Sequence, residues 1–160
     1  MTTHSPAPPT PWVIHCDGSA VPNPGRMGLG ATLRGPDGQQ HNLSLTSSLV
    51  GCNNEAELRA LMAALQQAHA LGARAVAVFS DSSLLIEQLQ PPPADQQAPA
   101  PIARLAELFD DARNWLARFD SVQLQWIPRH RNSAADTLAR AALGAPAKIA
   151  PHPSHKKKKR

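Results

Sequence analysis

The chain has no tyrosine, and aromatic residues make up only 4% of it. A core is therefore expected to rest on Leu, Val and Ala, within a hydrophobic share of 42%. There are two cysteines, Cys16 and Cys52. Two are too few for a disulfide framework, and their spacing fits no zinc pattern. Reduced thiols in a cytoplasmic protein are expected. No apolar run approaches the ~18 residues that would mark a membrane span. The opening "MTTHSPAPPTP" lacks a basic start followed by an apolar stretch, so no secretory leader is expected. At 160 residues the chain fits one domain, expected here as a monomer.

Lysine is missing from most of the chain. Residues 1–147 hold ten Arg, no Lys and all twelve acids, a net charge of −2. Residues 148–160 hold five Lys, one Arg and no acid, a net charge of +6. The overall +4 therefore belongs to the tail. A block of like charge is expected to be disordered and suits polyanions such as nucleic-acid phosphates. A solvated tail that only aids solubility is the other reading. The organisation is then a flexible Pro-rich start at 1–10, a folded domain at 11–145 and a basic tail at 146–160.

Between those ends the period of the apolar residues changes in an orderly way. "PWVIHCDGS" reads as a strand and "VPNPGRMG" as a loop. "LGATLRG" and "HNLSLTS" read as strands around a "PDGQ" turn. "NNEAELRALMAALQQAHALG" carries Leu and Ala at helical spacing, with Asn53 or Asn54 as its cap and Gly72 as its stop. "RAVAVFSD" is a buried strand, "SSLLIEQLQ" a short helix, and residues 91–101 a Pro-rich connection. "IARLAELFDDARNWLARF" reads as one amphipathic helix, "SVQLQWIP" as a strand, and "SAADTLARAALG" as a last helix capped by Ser133. The order β-β-β-α-β-α-α-β-α predicts an α/β fold. An antiparallel meander joins parallel strands in one five-stranded mixed sheet flanked by helices.

On that frame four acids converge. Asp17 lies within the first strand or at its end, and Asp81 ends the fourth. Glu57 begins the first long helix and Asp136 the last. Ligands gather at the carboxyl ends of central strands. Four carboxylates with no lysine in the domain repel one another and raise their own pKa values, unless a divalent cation sits among them. Oxygen ligands favour Mg²⁺, with Mn²⁺ as the alternative. Alone, each acid suits an ordinary role as a turn residue or a helix-end charge. Their joint placement is what points to a site.

"DGSAVPNPGRMGLGATL", "NNEAELRAL", "FSDSSLLIEQL" and "WIPRHRNSAADTLARAA" together resemble type 1 ribonuclease H, in its short-loop bacterial form. The resemblance covers residues 12–143. It implies a ribonuclease H-like fold and hydrolysis of the RNA strand of an RNA–DNA hybrid, leaving 3′-hydroxyl and 5′-phosphate ends. It makes Asp17, Glu57, Asp81 and Asp136 the metal-binding catalytic set and His130 a helper in proton movement or product release. It implies hybrid contacts at Gly18, Ser19, Asn23, Asn53, Asn54 and Ser82. Amides suit a 2′-hydroxyl or a base edge, being donor and acceptor at once.

The chain also departs from the family. The basic grip that many members carry is replaced by "QPPPADQQAPAPIARL", with Arg104 its one cation. Cys52 and Ser83 stand where Thr and Gln are frequent. Phosphate contacts supply much of non-specific affinity, so weak hybrid binding by the domain itself is expected, with the tail as a tethered anchor. Two other readings follow. One is a nucleic-acid-binding module with weak or no activity. The other is a related nuclease acting on RNA–DNA junctions or double-stranded RNA.

Overall fold

A computed structural model describes residues 9–92, 94–97 and 102–144. The expectations for the Pro-rich start and the basic tail lie outside these residues. Five strands form one sheet in the order β3-β2-β1-β4-β5. They are β1 Trp12–Val21, β2 Gly25–Arg34, β3 Gln40–Gly51, β4 Ala75–Ser80 and β5 Ser121–Trp126. The first three pair antiparallel, while β1–β4 and β4–β5 pair parallel. This is the mixed sheet that the sequence predicts.

The helices are α1 Asn53–Ala70, α2 Ser83–Leu89, α3 Ala106–Leu116 and α4 Ser133–Ala142. The core lies between α1 and the sheet. Ile14 and Cys16 alternate inward from β1 onto Leu58, Leu61 and Leu65 of α1, all essentially unexposed. Each such leucine contributes about 1.5–3 kcal/mol by leaving water. Between them Ala56, Ala60, Ala64 and Ala68 are also fully buried. Small side chains on this stripe let the helix lie close to the strands.

Four local expectations need correction. The segment 21–28 is not all loop: only Pro22–Pro24 turn, and β2 already begins at Gly25. The first helix is capped by Cys52, whose Sγ accepts from the Glu55 N–H at 3.4 Å, and not by Asn53 or Asn54. Residues 102–119 are not one helix, because a 3-10 turn at Ala103–Leu105 precedes α3, which stops at Leu116. Ser133 is the first residue of α4, and Asn132 holds the cap position with its side chain turned elsewhere. The expected stop of the first helix holds, with Gly72 at φ +88° just past its end.

Two helices touch the sheet through glycine. A Cβ on Gly18 would sit 2.1 Å from the backbone of Ala56 on α1. A Cβ on Gly28 or Gly30 would sit 2.1 or 2.2 Å from carbonyl oxygens of Ala139 or Ala135 on α4. Such contacts fix α1 and α4 on opposite faces of the β1–β2 pair. Hydroxyls on β3 secure α4 further, with Ser44 donating to the Leu138 carbonyl and Thr46 to the Ala142 carbonyl, each at 2.7 Å. Replacing Gly30 by Ala should therefore lift α4 from the sheet at a cost of roughly 1–3 kcal/mol. A urea melt would show it as a lowered midpoint, and an unchanged midpoint would refute this seating.

Candidate metal centre of four carboxylates

Parallel pairing of β1 with β4 puts Asp17 beside the end of β4, where Asp81 follows Ser80. The Gly18 contact brings the first turn of α1 down to the same point. Carboxylate oxygens of Asp17, Glu57 and Asp81 consequently lie within 4.8 Å of one another. Asp136 joins from the first turn of α4, its side chain hydrogen-bonded with that of Asp17. All four acids singled out by position are thus brought together. Asp17 is only 7% exposed, so its charge has little water to relax it.

The electrostatic consequence is large. Burial first, and then the charges of Asp81 and Glu57, push the Asp17 carboxyl up to about 8. Burial raises Glu57 to about 7, although the Ser82 hydroxyl and the charge of Arg129 work in the opposite direction. Asp81 is raised by burial against opposing help from Asn132 and Arg129. Asp17 and Glu57 would hold protons near neutrality unless positive charge replaced them. Oxygen-only donors held at this spacing fit a hard divalent cation, and Asp17, Glu57, Asp81 and Asp136 are the residues that would hold it.

A set of neighbouring groups orients the acids. Asn132, 1% exposed, donates its Nδ2 to the Cys16 carbonyl at 2.9 Å and toward Asp81 Oδ2 at 3.5 Å. It therefore ties the α4 start to both acid-bearing strands. Trp126 donates its indole N–H to the Asp81 carbonyl at 3.1 Å. Arg140 donates to both oxygens of Asp136 at 3.2 Å, one helical turn on. The Ser82 hydroxyl reaches Glu57 while its oxygen accepts from the Leu85 N–H, capping α2.

Asp17, Glu57 and Asp136 open on a cavity of about 170 Å³ whose lining includes Gly18, Ser19, Asn53, Arg129 and Arg140. A larger cavity, about 600 Å³, lies between α2, α3 and β5, away from the acids. Asn23 and Asn53 form a clasp beside the site. Asn23 Oδ1 accepts from the Asn53 N–H at 3.0 Å, and Asn53 Oδ1 accepts from the Ala20 N–H at 2.8 Å. Asn54 follows on the same first turn of α1. His130 is exposed on a 3-10 turn, Arg129–Arg131, and does not line the acid cavity.

Sequence reading missed Asn132, Arg129, Arg140, Gly28 and Gly30. A signal existed for the glycines: two of them, two residues apart in a strand, leave one face bare for a close neighbour. Asn132 gave none, because a helix-start asparagine reads as a cap.

The raised carboxyls make a pH prediction for the metal-free protein. Folded Asp17 and Glu57 hold protons that the unfolded chain releases near pH 4, so the folded state binds more protons in between. Stability should fall as pH rises from about 4 through about 8. Asp17→Asn should flatten that fall. Melts in chelator across this range check it, and a parent protein that gains stability toward pH 8 contradicts it.

The comparisons agree with this geometry. Residues 15–142 match the family described as reverse transcriptase-like. Bifunctional protein Rv2228c of Mycobacterium tuberculosis is 37% identical over 142 residues, covering 86% of this chain and 37% of that protein. The chain thus spans little more than a third of the mycobacterial relatives it matches. The N-terminal ribonuclease H domain of that protein, solved as a fusion, superposes with TM-score 0.71 at 33% identity, covering 83% of this chain and 93% of that one. Ribonuclease H1 of Halobacterium salinarum superposes at 0.73 with 30% identity, covering 84% and 98%. LC11 ribonuclease H1, a compost metagenome enzyme solved with an RNA/DNA hybrid, superposes at 0.70 with 29% identity, covering 83% and 96%. With its sheet order, its acid cluster and a match over residues 15–142, the chain belongs to the reverse transcriptase-like family and has the ribonuclease H1 fold.

Proposed function

We propose that the protein is an endoribonuclease that hydrolyses the RNA strand of RNA–DNA hybrids, leaving 3′-hydroxyl and 5′-phosphate ends. The observation that carries this reading is the cluster of Asp17, Glu57 and Asp81 carboxylates within 4.8 Å, where β4 ends beside the middle of β1. A similar chain crystallised with a hybrid supports the substrate class. Bound Mg²⁺ or Mn²⁺ would supply the positive charge that activates water and stabilises the leaving oxygen.

The chain's own residues do the rest. Asp17, Glu57, Asp81 and Asp136 hold the cations. Arg140 and Asn132 fix Asp136 and Asp81 so that little reorganisation is needed on binding. Gly18 and Ser19 line the cavity and leave backbone near the RNA strand. Ser82, largely buried beneath Glu57, serves the substrate side through that carboxylate. Both asparagines of the clasp spend an Oδ1 on backbone, which leaves their NH₂ groups to donate to a 2′-hydroxyl or base edge. With Asn54 beside them, they read the minor groove. His130, exposed next to Arg129, moves protons or helps product leave. The basic tail anchors the hybrid by its phosphates.

No described helix is long and apolar enough to cross a membrane.

Cleavage of a labelled hybrid with Mg²⁺ tests the reading. The parent should cut it, Asp81→Asn should not, and His130→Ala should bind normally but turn over more slowly. Hybrid binding without cleavage by the parent would leave a binding module instead. Asn132→Ala should lower activity by about 10–100-fold through metal affinity, as losses of orienting neighbours do. Excess Mg²⁺ should partly restore it, and full activity at limiting Mg²⁺ would contradict the assignment.

A further inference from the structure

A second cleft, about 270 Å³, shares no lining residue with the acid cavity. It lies on the α4 face of the sheet, below the helix. Pairing sets His15 opposite Thr32, Val13 opposite Arg34, and Arg34 opposite Gln40, so these side chains share one face. Arg131 and Ser133 close the cleft from the start of α4.

The chemistry of this lining is one-sided. It contains two guanidinium groups, an imidazole, two hydroxyls and an amide, and no acid. Among the described residues neither Arg34 nor Arg131 is in an ion pair. Arg34 and Arg131, both exposed and both on the rim of one cleft, make it attractive to an anion. The N-terminus of α4 opens there as well, and no side chain caps it. Its free N–H groups and positive dipole end add to the same preference. His15 is held rather than loose, stacked on Phe79 at 5.0 Å.

We propose that this cleft is a separate anion site that takes a phosphate group. Arg34 and Arg131 clamp its oxygens, Ser133 and Thr32 donate hydroxyls, and the α4 backbone donates N–H groups. The phosphate is either that of a small phosphorylated compound or a phosphodiester of a nucleic acid reaching past the acid cavity. The site is independent of hydrolysis.

Isotope-edited NMR of the full chain tests this. Inorganic phosphate is titrated against chloride at constant ionic strength. Saturable shifts should gather at His15, Thr32, Arg34, Arg131 and Ser133. Arg34→Gln and Arg131→Gln, with otherwise unchanged spectra, should each weaken binding by about tenfold or more. An adenosine monophosphate arm and a short DNA duplex arm then separate the sources. Saturation by the nucleotide alone assigns small phosphate compounds. Shifts with the duplex, and a salt slope about 1 lower in each variant, assign the nucleic-acid backbone. Shifts that scatter over the surface, fail to saturate, or persist unchanged in both variants overturn the proposal.

Discussion

Glu57 and Asp136 reach the sheet because two helix backbones lie almost on it. At Gly18, Gly28 and Gly30 a single added carbon would overlap helix backbone at little more than 2 Å. Everything chemical in the molecule depends on that closeness. Carboxylate side chains are short, so an acid on a helix meets an acid on a strand only when their backbones nearly touch. The same closeness buries Asp17 and so sets its electrostatics. Glycine in a strand normally weakens it. Here the hydroxyls of Ser44 and Thr46, and the buried Ala135 and Ala139, hold α4 against the bare strand face.

The second constraint is repulsion. Asp17, Glu57 and Asp81 are all raised, with burial as the leading cause. Arg140 spends its charge on Asp136, and the guanidinium of Arg129 only moderates Glu57 and Asp81. Positive charge is thus supplied sparingly inside the cavity, which leaves room for a cation. The periphery follows the same economy. The Pro-rich connection carries little cationic grip, while arginines cluster at the start of α4, as Arg129 and Arg131.

Much of this was legible in residue order. Element order and the mixed sheet followed from the switch in apolar period, and the four acids from their places on two strands and in the first turns of two helices. What was not legible depended on who touches whom across the fold. Asn132 looks like a cap, and only the fold shows its amide spanning to Cys16 and Asp81. Cys52 caps α1 through sulfur, a role that asparagine neighbours masked. The helix read through 102–119 fails at its start because residues 103–105 wind as a 3-10 turn. Gly25–Gly28 joins β2 because pairing with β3 at Gly25 and with β1 from Arg26 on outweighs the local preference of glycine for a turn.

Binding of Mn²⁺ to the hybrid-free protein, followed by calorimetry at pH 8, tests the central claim most directly. The account predicts saturable binding in the parent that weakens when Asp17, Glu57 or Asp81 is replaced by its amide. Binding indifferent to all three replacements would contradict a metal centre built from these carboxylates.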